Sequence, residues 1–208
     1  MKKLLYLTVI ILLASCSSKK FNSKWTKEQA PKTFKARFET TQGSFDIVAI
    51  RSLSPKGVDR LYQLIKNDFY TDIAIYRMLP NFVVQFGIHG DSIINTYWET
   101  YKIPDEIVKQ SNDSMTISFA RGGIETRTTQ IFINMKNNSR LDDLEYSGVK
   151  GFPVIAKITS GMETIHKFYS GYGSEPATKQ HIIYAKGNNY LKNKYPKLDY
   201  ITKAYIIK

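Results

Sequence analysis

Tyr76-Arg77-Met78-Leu79-Pro80-Asn81-Phe82-Val83-Val84-Gln85-Phe86-Gly87 reads as a strand, a tight corner and a second strand. Proline has no N–H to give to a ladder, so Pro80 marks the corner, with Asn81 beside it. Two polar side chains, Arg77 and Gln85, sit inside this otherwise apolar run. On strand-like segments both can point at one face of a sheet. A cationic fork and an amide beside Phe82 and Val83 make a surface that is apolar yet rich in hydrogen-bond donors, as small-substrate sites are. The plainer alternative is a core strand pair whose arginine escapes to solvent, as most arginines do.

The flanking segments give the fold class. Upstream, Phe34, Ala36 and Phe38 alternate with Lys35, Arg37 and Glu39, and Phe45, Ile47 and Ala49 alternate after Thr41-Gln42-Gly43. That pattern predicts a hairpin with one buried face. Ser54-Pro55 predicts a helix start, with Ser54 as N-cap and Pro55 at the first helical position. Val58, Leu61, Tyr62, Ile65 and Phe69 follow at helical spacing and form its apolar face. Downstream, Gly90 to Tyr101 reads as a loop with exposed Tyr97 and Trp98. Met115 to Ala120 alternates as a strand, Arg121 to Thr129 is a long polar loop, and Gln130 to Ile133 is a further strand. Gly161-Met162 opens a second helix, with Met162, Ile165, His166 and Tyr169 on one side, and Tyr205-Ile206-Ile207 supplies the last strand.

The order strand, strand, helix, arginine-bearing strand, taken with the Tyr76–Gly87 stretch, resembles the cyclophilins, a family of peptidyl-prolyl isomerases. Their pattern is an aromatic, Arg, two aliphatics, Pro, Gly or Asn, Phe, an aliphatic pair, Gln and Gly. The chain matches it from Tyr76 to Gln85, with Gly87 two residues on. The resemblance covers residues 33–208. It implies a mainly β fold, a closed eight-stranded antiparallel barrel capped by two helices. Its interior would be packed core and its site would lie on the outer face.

The resemblance also assigns roles. Arg77 takes the position of the catalytic arginine. Phe82, Val83, Phe132, Leu141 and Phe152 would line an apolar slot for a proline ring. Gln85 would orient Arg77 or hold the peptide, Gln130 would hold the peptide backbone, and Ala120 falls on a substrate-lining position. Gly151-Phe152-Pro153-Val154-Ile155-Ala156-Lys157-Ile158 resembles the Gly-Tyr-x-Val-Phe-Gly-Lys-Val strand of bacterial members. Ile103-Pro104-Asp105-Glu106 resembles an acidic signature of many bacterial members, with Glu106 in a structural role that ties the loop down. Trp98 is a candidate specificity element. The implied partners are proline-containing polypeptides, with no cofactor, and a monomer is expected.

Three departures from the family pattern stand out. Arg121-Gly122-Gly123 and Arg127-Thr128-Thr129 replace a more familiar Asn-rich loop, so the peptide-backbone contacts and sequence preference are not carried over. Arg140 stands where the family commonly has an aromatic, often Trp, before Leu141, which weakens the expected binding of the family's macrocyclic inhibitor. Residues 143–150 form an insert. Beyond Gly173 the chain resembles the C-terminal extension of some bacterial members. Besides an active isomerase, a non-catalytic proline-peptide-binding module or holdase on the same scaffold remains open.

The chain begins with a basic head, Lys2-Lys3, then an apolar run from Leu4 to Leu13, then Leu13-Ala14-Ser15-Cys16. The run is too short for a spanning helix, which needs about 20 residues. It has the form of a secretory signal peptide over residues 1–15. Cysteine after Leu-Ala-Ser resembles the bacterial lipobox, which implies lipidation of Cys16 and a membrane anchor. Ser17 is compatible with an outer-membrane position facing the periplasm. Residues 16–32 are polar and read as a tether to a domain over 33–208. Phe21 and Trp25 are free either to pack on that domain or to sit at the lipid interface.

Cys16 is the single cysteine, which excludes an internal disulfide and a thiolate metal site. The net charge of +12 falls to +10 when Lys2 and Lys3 leave with the leader, and the basic residues are spread rather than blocked. They read as a solvated surface and not as a nucleic-acid footprint. His89, His166 and His181 lack metal-ligand spacing, so no metal is expected. No Gly-x-Ser-x-Gly or Gly-rich phosphate loop occurs. Asp105-Glu106 and Asp142-Asp143 are adjacent pairs suited to turns rather than to acid–base work.

Overall fold

The alternating stretches pair as their pattern dictates. β1 (Thr33–Thr40) and β2 (Gly43–Ile50) form an antiparallel hairpin in which Phe38 faces Phe45 and Ala36 faces Ile47. The two phenyl rings stack with centroids 5.0 Å apart, and both are buried. Each such ring contributes about 1.5–3 kcal/mol by leaving water. The computed structural model describes residues 21–208; the leader, Cys16 and the first part of the polar segment lie outside the described residues.

α1 (Pro55–Lys66) starts at Pro55, as expected, and buries Val58, Leu61, Leu64 and Ile65. Its cap differs from expectation. The Ser54 hydroxyl makes no capping bond but donates to the Glu106 carboxylate. That carboxylate accepts the orphan N–H groups of Lys56 (2.9 Å) and Gly57 (3.1 Å). A carboxylate can thus take over the serine's capping task, and it suits the positive end of the helix.

The chain continues through β3 (Ile73–Ala74), β4 (Arg77–Met78), β5 (Val83–Phe86), α2 (Ser92–Thr100), β6 (Thr116–Phe119) and β7 (Ile131–Asn134). α3 (Arg140–Asp143) leads to a small hairpin of β8 (Glu145–Tyr146) and β9 (Val149–Lys150), formed by the insert. β10 (Val154–Ser160), α4 (Met162–His166), α5 (Gln180–Lys194) and β11 (Tyr200–Ile207) complete it. No helix among the described residues is long and apolar enough to cross a membrane.

The sheet corrects the expected closed eight-stranded barrel. Among the described residues it has nine antiparallel strands in the order β3-β11-β1-β2-β10-β6-β7-β5-β4, curled into an open half-barrel. The end strands β3 and β4 are separated in sequence only by Ile75 and Tyr76, so the curl brings the sheet back on itself. No ladder joins them. Each is two residues long, and neighbouring backbone meets them instead: Ile75 N–H donates to Asp199 O (2.9 Å) and Met78 N–H to Gly173 O (3.3 Å).

The helices also differ from the expected two. Residues 90–101, read as a loop, contain α2, capped by the Asp91 carboxylate on Ile93 N–H (2.8 Å). Trp98, read as exposed, is buried against Phe69 and beneath the Arg60 guanidinium. It is core, and the specificity role considered for it falls away; Tyr97 is exposed as expected. α5 bends at Gly187, whose positive φ and close approach to the Gly90 carbonyl leave no room for a Cβ.

Of the two places open to Phe21 and Trp25, both rings lie on the domain. Phe21 stacks on Tyr97 (5.1 Å) and meets Trp98 edge-on (5.2 Å). Farther on, Gln63 Nε2 donates to Glu28 O (2.6 Å), and Ala30 N–H donates to Asp59 (2.9 Å). The described part of the polar segment is therefore held along α1.

Candidate functional site

The Pro80–Asn81 corner sets the register that builds the site. Leu79 N–H donates to Val83 O (2.9 Å) and Phe82 N–H to Leu79 O (2.9 Å), closing the turn between β4 and β5. Arg77 then falls opposite Gln85, and Gln85 opposite Phe132 on β7. Directly paired residues share a face. Val84, Phe86, Ile131 and Ile133 point into the main core, while Val83, Gln85 and Phe132 point the other way. On this second face Val83, Phe132 and Leu141, with Phe82, Ala120 and Phe152 against them, form an apolar cluster separate from the core.

A cavity of about 310 Å³ opens over this cluster. Arg77 and Gln85 line it together with Phe82, Val83, Ala120, Phe132, Leu141 and Phe152. Of the substrate residues expected from the sequence, only Gln130 lies off this cavity. It borders an adjoining one of about 480 Å³, which shares Gln85, Ala120, Arg121, Tyr146 and Gln180 with the first.

Arg77 is half-buried, and its protein partners are neutral. Its Nε donates to Ser174 Oγ (3.1 Å), its Nη1 donates to Gln85 Oε1 (3.2 Å), and its guanidinium lies 5.4 Å from the Phe82 ring. Burial lowers its pKa, but the ordinary arginine value is so high that it stays a cation. Gln85 thus makes the contact with Arg77 that the first of the two roles considered for it, orienting the guanidinium, requires. Its Nε2 donates to Gln130 Oε1 (3.0 Å), which also accepts from the Tyr76 hydroxyl. Burial raises the Tyr76 pKa, so that hydroxyl keeps its proton. Gln130 Nε2 donates to Gln180 Oε1 (3.0 Å) and Tyr184 Oη (2.9 Å) on α5. Both ends of the Gln130 amide are thus engaged within the protein, and it supports Gln85 from the wall of the second cavity.

Sequence reasoning missed Ser174, Gln180, Tyr184, Tyr146 and Leu144, which come from the C-terminal extension and the insert. It also read Arg121 only as a departure from pattern. Arg121 Cζ lies 4.4 Å from the Phe152 ring, and Arg140 Cζ lies 4.8 Å from Phe82. Arg127, from the same departing loop, is buried away from the cavity and pairs with Glu106 (3.2 Å). Among the described residues no group of three or more His, Cys, Asp or Glu is placed to hold a metal.

The model of the family "Cyclophilin type peptidyl-prolyl cis-trans isomerase/CLD" matches residues 35–187. The chain belongs to this family. As a cyclophilin-type isomerase it is 28% identical over 138 residues to peptidyl-prolyl cis-trans isomerase-like 1 of Aspergillus oryzae, covering 62% of this chain and 78% of that one. It is 25% identical over 131 residues to a peptidyl-prolyl cis-trans isomerase of Acinetobacter baylyi, covering 62% of this chain and 68% of that one. The crystal structure of a cyclophilin-type isomerase from Cryptosporidium parvum superposes with a TM-score of 0.57 at 18% identity, covering 85% of this chain and 98% of that one. That likeness is one of fold. In this cyclophilin the family stretch carrying the arginine coincides with β4, the corner and β5.

Proposed function

We propose that the chain accelerates rotation of X–Pro bonds in proteins folding in a bacterial cell envelope, held there by lipid on Cys16, with Arg77 as the catalytic group. A peptide C–N bond resists rotation by about 18–20 kcal/mol because nitrogen donates its lone pair into the carbonyl. Only X–Pro bonds populate both isomers readily. Faster rotation needs no acid, base or nucleophile; it needs the twisted amide bound better than either planar form. In the twisted form nitrogen becomes pyramidal and recovers its lone pair. A fixed donor aimed at it acts on the transition state more than on the ground state.

The observation that carries this reading is the setting of Arg77. Two neutral acceptors, Gln85 and Ser174, fix the plane of its guanidinium at the wall of an apolar cavity. Neither neutralises its charge, and Nη2 makes no hydrogen bond among the described residues. Phe82, Val83, Phe132, Leu141 and Phe152 offer the proline ring a surface while the preceding carbonyl turns. The envelope setting is supported by the Lys2-Lys3 head, the apolar run and Leu13-Ala14-Ser15-Cys16.

NMR exchange on a short Ala-Pro peptide tests the chemistry with the purified full chain. Arg77→Ala should lower kcat/KM at least tenfold, or about 1.4 kcal/mol of transition-state stabilisation. Equal rates in both would remove Arg77 from the mechanism, and a bound but unturned peptide would favour the binding-module reading. The anchor is tested by Cys16→Ser, which should move the protein from the membrane to the soluble fraction and abolish fatty-acid labelling.

A further inference from the structure

The charge around the two adjoining cavities is lopsided. Among the described residues the first is bordered by two cations, Arg77 and Arg121, and by no acid. A third cation, Arg140, rests on the Phe82 ring at its edge. Arg121 also borders the second cavity, so a peptide spanning both passes its guanidinium.

Arg121 is held and yet under-used. Its Nη2 donates to Val149 O (3.0 Å) in the insert hairpin, and its plane lies against Phe152. Its Nε and Nη1 are shielded from solvent and have no hydrogen-bond partner among the described residues. Buried donors in native proteins are nearly always paired; Arg127 leaves the same two atoms unpaired but has Asp105 and Glu106 beside it, whereas no ion pair holds Arg121 among the described residues. No nearby acid hydrogen-bonds Arg121 among the described residues, although Asp105 is close enough to act on its charge and leaves its Oδ1 without a hydrogen bond. Asp105 accepts the Glu125 N–H (2.6 Å) and lies 3.8 Å from Arg127 Nε. Glu99, in the second cavity, is shared with the Tyr184 hydroxyl and has Lys102 as a fellow lining residue.

Building on the isomerase reading, we propose that Arg121 is a specificity residue that selects substrates bearing a carboxylate side chain within two residues of the proline. A guanidinium keeps its full positive charge, and Arg121 carries that charge on the border of both cavities, where it attracts a carboxylate. Two extended residues reach about 7 Å, enough to carry such a group from the proline slot toward the border of the two cavities. The family-like part of the site, Arg77 and the apolar wall, handles the X–Pro bond; Arg121 reads what flanks it.

The test uses the full chain and a set of Ala-Pro peptides with Glu, Gln or Lys placed up to two residues either side of the proline. Both kcat/KM, by NMR exchange, and Kd, by chemical-shift titration, are measured. At one position at least, Glu should exceed its isostere Gln by about fivefold or more at low salt, and the ratio should shrink as salt is raised. Arg121→Gln should bring the Glu/Gln ratio to one, and Arg121→Glu should invert it in favour of Lys. Arg121→Lys, which keeps the charge, should keep the ratio above one and covers the case in which Arg121→Gln does not fold. A wild-type ratio of one at every position, or one that survives Arg121→Gln, overturns the proposal. If no peptide is turned over, the isomerase reading fails, while the Kd ratios still decide whether Arg121 selects acids.

Discussion

Two arginines lie at opposite poles of use in this molecule. Arg127, with a side chain 1% exposed, is spent on structure: it donates to Pro104 O and to Glu106, the carboxylate that caps α1, and lies beside Asp105. Arg77 is half-buried and rests on a serine and an amide. Carboxylate partners consume an arginine's charge, while neutral acceptors fix its direction and leave the charge available. The difference lies in the partners, since the residue type is the same.

Removing each arginine should therefore break different things. Arg127→Met strands the Asp105 and Glu106 carboxylates beside a helix start. It should cost about 3–5 kcal/mol of stability in urea unfolding, as breaking one side of a buried ion pair does. Arg77→Ala should leave stability within about 1 kcal/mol, as for a partly exposed residue, while activity falls at least tenfold. Equal stability losses in the two variants would erase the contrast. A finer probe is Ser174→Ala, which frees one end of the Arg77 fork. Loss of one hydrogen bond, roughly 0.5–1 kcal/mol, should lower kcat about two- to fivefold with KM little changed, and Ser174→Thr should restore it. A fall in stability with kcat intact would make Ser174 merely structural.

The smallest effect concerns His89, on the loop that α5 presses against. Burial lowers its pKa below the ordinary 6.5, and its Nδ1 accepts the Asp91 N–H (3.0 Å), which requires that nitrogen to be unprotonated. The unfolded chain then binds the proton first as pH falls. The stability tied to neutral His89 is complete above about pH 6.5 and is lost below it. His89→Asn should flatten the fall in thermal midpoint between pH 7 and pH 5.

The same contrast shows what the sequence could convey. Short-period signals were legible: the β1–β2 alternation, the start of α1 at Pro55, and the Pro80 corner that pairs Arg77 with Gln85. Each depends on neighbours within a dozen residues. α2 was missed because its buried side chains, Asn95 and Trp98, make too narrow a stripe to show a helical period. α5 was missed because Gly187 interrupts it. The closed barrel was an expectation about strand ends far apart in the ladder, and two-residue strands carry no periodicity that could have corrected it. In the site, the apolar residues expected from the family resemblance come together around one cavity. Ser174, Gln180 and Tyr184 arrive from a segment about 100 residues after Arg77, and no local pattern announces such a meeting.

The seam between β4 and the C-terminal extension has a dynamic consequence. Gly173 supplies the acceptor for the Met78 amide at the open edge of the sheet, and Ser174, the next residue, supplies the acceptor for Arg77 Nε. One local opening of these two residues strips the edge strand of its partner and the arginine of its anchor together. Amide hydrogen exchange at Met78 thus becomes a clock for Arg77, since its protection factor counts the fraction of time the guanidinium stays aimed. Gly173 and Ser174 are in this sense a latch on the site, and with Arg77 as the catalytic group proposed above, the working population would follow how often the latch lifts.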